Sequence, residues 1–295
     1  MISPKRLAVR RAAWSLAWHR VHCTRKSRWG ARDALLAGDL LPASRRWLAT
    51  CAGGGPWESS PLKLAESVLI RIERALYARD RVHEHLLVPQ TLQSNDETLF
   101  YLDAFLYSLA GAFDAIGRVV HAACGIADSP RRANWRDKRR KENWMEKLAQ
   151  KCQPIADIMA PEKPHRDALE LVFLLRNLVH AEGLSSVATI EAPYRLEVRH
   201  DLLLPPDDTP FLVSVLNRLG GLAAWRAEQI DNTRYAIDVR TYVEAILPRT
   251  LAAMGAIMDL TPVENLPGAS PRPEIELDAR AKMAVQRLRL LSGLA

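Results

Sequence analysis

The chain has 295 residues, 48% of them hydrophobic and 25% charged, with a formal net charge of +7. That length can bury a sizeable core in one large domain or two small ones, and the composition is that of a globular chain rather than a disordered or fibrous one. No run reaches the roughly 20 apolar residues of a membrane span, so no membrane partner is expected. The basic start, with Arg11, His19 and Arg20 interrupting any apolar core, does not read as a secretory signal. Cys23, Cys51, Cys124 and Cys152 are scattered and form no CxxC. They read as free thiols in a reducing, cytoplasmic setting.

Residues 5–23 can form a basic helix. From Lys5 to Arg46 the acids are only Asp33 and Asp39, and Trp14, Trp18, Trp29 and Trp47 are interleaved with the cations. Cations that hold phosphates and rings that stack on bases suit RNA. The alternative is a peripheral helix pair whose tryptophans pack on the body. Residues 52–61, AGGGPWESSP, are a linker by composition. Residues 60–88 read as a long helix with Pro61 in its first turn and Leu64, Val68, Ile72, Ala75 and Leu76 on its apolar face.

A second long helix is expected over residues 94–124, with Asp96 and Glu97 in its first turn, where negative charge suits the helix dipole. Leu99, Leu102, Leu106, Leu109, Phe113, Ile116 and Val120 alternate spacings of three and four. That heptad-like seam predicts an antiparallel partner, and Ala110, Gly111 and Ala112 permit close approach. Asp103, Tyr107, Asp114 and Arg118 form a polar line, read as a solvated face, with a cleft as the alternative. Gly125 ends the helix.

Residues 129–144, SPRRANWRDKRRKENW, are the densest basic run. Arg131, Arg132, Arg136, Lys138, Arg139, Arg140 and Lys141 are candidate RNA-phosphate contacts, with Trp135 and Trp144 between and after them. A solvated loop is the competing reading. A further helix runs from Trp144 to about Met159, and Pro161 and Pro164 break the chain after it. Residues 169–183 are a strongly apolar helix. Leu171, Leu174, Leu175 and Leu178 make one stripe. Leu169, Val172 and Phe173 make another, continued by Arg176 and His180. A helix apolar on two sides lies between neighbours, so an Arg and a His on it need a polar partner, a wet cleft or a second subunit.

Residues 187–190 and 194–198 alternate like strands, predicting a β-hairpin at about 186–204 with its turn at Ala192 and Pro193. Residues 211–225 read as a helix, and 237–260 as another with a kink at Pro248. Residues 261–273 are a Pro-rich linker, and 279–291 can form a last basic helix.

Much chemistry has no support. There is no GxxxxGK[ST], strand-borne GxGxxG, HExxH or G-x-S-x-G. His19, His22 and Cys23 lack a fourth ligand, so neither metal nor cofactor is expected. What remains is Arg176-Asn177-Leu178-Val179-His180. Placed after LDAFLYSLAGAFDAIGRV and a basic connection, this segment resembles the HEPN superfamily of helical bundles over about residues 60–185. Active members of that family carry Arg, a polar residue and then His with four to six residues between Arg and His; here three separate them, which still leaves both on one helix face. The resemblance implies metal-independent RNA cleavage where two copies of the helix meet in a homodimer. His180 would be general acid or base, Arg176 would stabilise charge on the phosphate and Asn177 would position it. The competing roles are a structural ion pair of Arg176 with Glu170, Asp103 or Asp114, and a helix-dipole role for His180.

The sequence therefore predicts a mainly α, HEPN-like antiparallel helical bundle with a small β-hairpin insertion. Its parts are a basic N-terminal helical extension (1–55), the bundle (60–260) and a Pro-rich linker with a C-terminal helix (261–295). The expected function is an RNA-cleaving or RNA-binding protein, a metal-independent endoribonuclease in the active case. It would serve as effector of a toxin–antitoxin or phage-defence system, with an antitoxin or defence partner protein. The alternative is a non-catalytic helical scaffold that assembles with itself or another chain.

Overall fold

The computed structural model describes residues 41–51, 61–88, 91–136, 144–181, 183–191, 195–204, 207–266 and 269. The protein is mainly helical, with a small antiparallel sheet. Its centre is a hairpin of two long helices, α1 being the short helix before them: α1 is Ala43–Cys51, α2 is Pro61–Leu86 and α3 is Leu92–Ala123. Pro61 is the first residue of α2, where its missing N–H costs nothing. Val68, Ile72, Ala75 and Leu76 are fully buried and Leu64 is half-buried, the face expected of α2. The start of α3 lies two residues earlier than the charge pattern suggested. Thr91 is its cap, and Ser94 reaches back to the Thr91 N–H in a capping box. At the other end Gly125 takes φ +61, and the Gly125 and Ile126 amides donate to the Ala122 and His121 carbonyls, closing a Schellman motif.

The heptad-like seam of α3 is buried from Leu102 to Val120, with Leu99 half-buried. α2 is its antiparallel partner. By length and composition α3 is also apolar enough to cross a membrane, which corrects the expectation that no segment is. In the bundle it is the central helix, packed against α2, the sheet and two further helices. Each fully buried Leu, Ile or Phe there contributes roughly 1.5–3 kcal/mol.

The expected helix from residue 144 to 159 is two short ones, α4 (Trp144–Lys151) and α5 (Gln153–Ile158). Pro154 sits in the first turn of α5, and a proline there cannot continue a preceding helix. The apolar helix expected over residues 169–183 is α6, Pro164–Ala181, and begins earlier, on Pro164 itself. It packs on α3, on α7 (Thr209–Arg218) and on α8 (Val239–Leu260). Leu169, Leu171, Val172, Phe173 and Leu175 are buried. The helix predicted to Trp225 stops at Arg218, because Gly220 and Gly221 take φ +130 and +86. α8 starts at Val239, capped by Asp238, and runs on through Pro248.

The hairpin is present as β1 (Ser185–Glu191) and β2 (Arg195–Leu203), with a register shift between Ser186 and Ala188. It belongs to a larger sheet. β3 (Ala227–Gln229) and β4 (Tyr235–Asp238) complete the order β1-β2-β4-β3, all antiparallel. Asn95 of α3 donates to the Ser186 hydroxyl at 2.6 Å, tying the sheet to the start of the central helix.

α1 packs on α2 and α8. Trp47 is buried and donates to the Met258 carbonyl at 2.9 Å. Arg46 Nη2 lies 2.8–3.1 Å from the Met258, Asp259 and Thr261 carbonyls, satisfying the C-terminal end of α8. Trp47 is therefore a packed residue. Trp14, Trp18 and Trp29, the residues up to 40, and the helix expected at 279–291 lie outside the described residues. Part of the predicted C-terminal linker is packed, with Val263 and Leu266 in the core. Cys124 and Cys152 are free thiols.

Burial alone pushes the Glu66 carboxyl from 4.5 up to about 7. The folded protein thus holds this proton to higher pH than the unfolded chain. The stability this confers is full below about pH 4.5 and is lost as pH rises towards 7. Glu66→Gln should therefore be increasingly more stable than wild type from pH 5 to pH 8, read as urea-denaturation midpoints; a constant difference across that range would contradict the assignment.

Candidate functional site

α3 and α6 cross with the loop 130–136 between them. A one-turn 3-10 helix, Pro130–Arg132, opens that loop. Trp135 anchors it: the ring is buried, donates to the Phe113 carbonyl at 2.9 Å and meets Trp144 edge to face at 4.9 Å. Gly117 makes the room, since a Cβ there would lie 3.0 Å from Trp135 Nε1. Trp144 is buried too and donates to His121 Nδ1 at 3.1 Å, while His121 Nε2 donates to the Asp128 carbonyl. Neither tryptophan of the basic run is available to stack on a base.

Glu170 of α6 fixes the other side of the loop. It is 5% exposed and accepts from Arg166 Nε at 2.9 Å and Arg136 Nε at 2.7 Å. Arg166 also donates to the Trp135 carbonyl. Asp167, 2% exposed, takes two hydrogen bonds from Arg218 at 2.7 Å each. These arginines are structural.

Arg176 is different. The Glu170 carboxylate is already occupied, and no hydrogen bond or ion pair joins Arg176 to any described residue. Its Nε is buried without a partner, and its guanidinium lies over the Phe173 ring at 5.0 Å. It lines two adjoining cavities, of about 190 and 320 Å³, that also share Asp114. The first is walled by Ser67 and Arg71 of α2 and by Tyr107, Gly111 and Arg118 of α3. The second is walled by Arg131, Asn134, Arg136, Phe173 and Asn177. Arg118 and Arg131 likewise have no carboxylate partner among the described residues, and Arg71 bonds only Ser67, at 3.2 Å. The guanidinium of Arg71 occupies the space a Cβ on Gly111 would fill.

Burial raises the Asp114 carboxyl above the usual aspartate range, and the charges of Arg176, Arg118 and Arg71 partly oppose that shift. No hydrogen bond or ion pair joins any of the three to it. Asp103 lies off the cleft, with one oxygen buried and unpartnered, and burial pushes it up to about 6. The polar line of α3 is thus no uniform solvated face: Tyr107, Asp114 and Arg118 face the cleft.

Arg176 and Asn177 therefore lie together in the second cavity, with Arg131 opposite. Arg136 borders it but is held by Glu170. His180 is in the last turn of α6, and its side chain lies outside the described residues. The Arg132 side chain lies outside them as well, as do Lys138, Arg139, Arg140 and Lys141. Arg71 and Asn134 were not anticipated as site residues. The one trace of Arg71 is Gly111, a glycine inside a long helix, where it costs up to about 1 kcal/mol relative to Ala. Among the described residues no group of three His, Cys, Asp or Glu could hold a metal.

Among the described residues, four guanidiniums without a carboxylate partner, Arg71, Arg118, Arg131 and Arg176, line the two cavities with Asp114, a cationic cleft suited to phosphate oxygens, which Arg binds through paired hydrogen bonds. Comparison with protein-family models, curated proteins and solved structures returns no match.

The two kinds of arginine should respond oppositely to replacement. Arg166→Met leaves Glu170 short of a partner in the core and should cost about 3 kcal/mol. Arg176→Met removes a desolvated, unpaired donor and should change stability by less than about 1 kcal/mol. Urea unfolding of both variants checks this. A large loss at Arg176 would mark it as structural.

Proposed function

We propose that the protein is an HEPN-like RNA-binding protein that cleaves RNA without a metal ion at the cleft between α3 and α6. The single observation that carries this reading is Arg176. It has a buried, unpartnered Nε in an open cleft with Arg71, Arg118 and Arg131, one turn before His180. A half-desolvated guanidinium without a counter-ion is costly to maintain in a stable fold, so an anionic ligand accounts for it.

The chemistry uses the substrate's own nucleophile. The ribose 2′-hydroxyl loses its proton to His180 or to water held by it, and its oxygen attacks the adjacent phosphorus. The bond to the 5′ oxygen breaks, and that oxygen takes up a proton. The products are a 2′,3′-cyclic phosphate and a 5′-hydroxyl. An imidazole handles protons near neutrality, Arg176 stabilises charge on the phosphoryl oxygens and Asn177 positions the group. An active site shared between two copies and a role in toxin–antitoxin or phage defence with a protein partner belong to the same proposal.

A second reading, a non-catalytic scaffold, is favoured by Ile70, Tyr77, Leu92 and Phe100, which are exposed on the α2–α3 hairpin. The two readings separate in one assay on a mixed RNA substrate in EDTA. Wild type should cleave it, leaving cyclic phosphate ends, and equally well-folded His180→Ala should be slower by about 100-fold or more. Equal rates would remove His180 from the chemistry. No cleavage by wild type would favour the scaffold.

A further inference from the structure

The wall between the two cavities is itself polar. Asp114 and Arg176 line both, whereas Arg71 and Arg118 border only the first and Arg131 only the second. Each cavity thus has its own cation as well as the shared one. Asp114 stands between them, and no hydrogen bond or ion pair joins its carboxylate to any described residue.

A carboxylate is a poor neighbour for a phosphate. Like charges brought together repel, and an ionised Asp114 can accept hydrogen bonds but donate none. What it can take is a hydroxyl donor flanked by anions on either side. A single RNA strand presents that sequence of groups along its backbone: phosphate, ribose with its 2′-hydroxyl, phosphate. DNA presents the phosphates without the hydroxyl.

We propose that Asp114 is the ribose reader of the cleft, accepting a hydrogen bond from a 2′-hydroxyl whose flanking phosphates lie against Arg71 and Arg118 on one side and Arg131 on the other. This rests on the RNA-binding reading above and adds to it the selection of RNA over DNA. A site built to bond a hydroxyl discriminates against the analogue lacking it, because the half-buried Asp114 carboxylate is then left unpaired beside an anion. Tyr107 lines the first cavity and Asn134 the second, and both carry polar groups for the sugar edges.

The test measures binding of a short fluorescein-labelled single-stranded RNA, and of the DNA of the same sequence, by anisotropy. All chains carry His180→Ala so that the RNA stays intact, and circular dichroism confirms that each variant is folded. The parent should bind RNA at least about 10-fold more tightly than DNA. Asp114→Ala, which removes the acceptor, should bring that ratio to about 2 or less, chiefly by strengthening DNA binding. Asp114→Asn, which keeps a carbonyl acceptor without the charge, should retain part of the preference. Arg176→Ala should weaken RNA and DNA alike. An unchanged RNA-to-DNA ratio in Asp114→Ala, with Arg176→Ala still weakening both, would overturn the assignment of Asp114 and leave the cleft as the nucleic-acid site. A uniform gain for both strands in Asp114→Ala would make the carboxylate merely repulsive and also overturn it. If neither Asp114→Ala nor Arg176→Ala altered binding, the RNA reading of the cleft would fall with the inference.

Discussion

Glu170 holds the cleft between α3 and α6 together. A carboxylate 5% exposed in the middle of an apolar helix is tenable only because two guanidiniums meet it, Arg166 from its own helix and Arg136 from the loop ahead of α4. Desolvating three charges offsets much of their attraction, so the net stability gained is small, whereas removing one partner is severe. What the cluster supplies is register. It binds the loop 130–136 to α6, and Trp135 binds the same loop to α3 through the Phe113 carbonyl. With residues 135–136 of the loop tied to both helices, Arg131 and Asn134 line one cavity with Arg176 and Asn177.

That arrangement divides the arginines by the company they keep. Arg46, Arg136, Arg166 and Arg218 have carbonyl or carboxylate partners and hold helices to one another. Arg71, Arg118, Arg131 and Arg176 have none of that kind among the described residues, and they converge. The two sets are indistinguishable by residue type, and the overall charge of +7 says nothing of the division. Glu170 and Asp167 bond other arginines, and no hydrogen bond or ion pair joins Arg176 to either. The potential that results is local, and Asp114, the one acid lining the cleft among the described residues, moderates it.

The helices were legible in the sequence because their periodicity is strong. The seam from Leu102 to Val120 and the apolar stripes of α6 follow directly from a 3.6-residue repeat. Boundaries were less so. Thr91 competes with Ser94 as a cap, and Gly220–Gly221 outweighs the apolar residues beyond it. β3 and β4 were missed because three or four residues carry too little alternation to read. For the site, Arg176 and Asn177 stood out as polar residues on an apolar helix. Arg71 did not, because a charged residue on a long amphipathic helix looks like solvated surface until Gly111 is seen to receive it. The tryptophans of the basic run misled, since an aromatic between cations can stack on a base or plug a core, and Trp135 and Trp144 do the second. The cleft is assembled from segments far apart in the chain, which no local pattern encodes.

The central claim is that four arginines without protein counter-ions form one anion site for single-stranded RNA. The most direct measurement is the salt dependence of RNA binding by the intact chain against that of a variant with Arg71, Arg118, Arg131 and Arg176 all changed to Gln. Each phosphate neutralised on a single strand contributes about 0.7 to the slope of log affinity against log salt. The account predicts a steep slope for the parent, reduced by roughly 1 to 3 in the variant, with weaker affinity at low salt. Equal slopes and equal affinities would place RNA elsewhere on the molecule and contradict it.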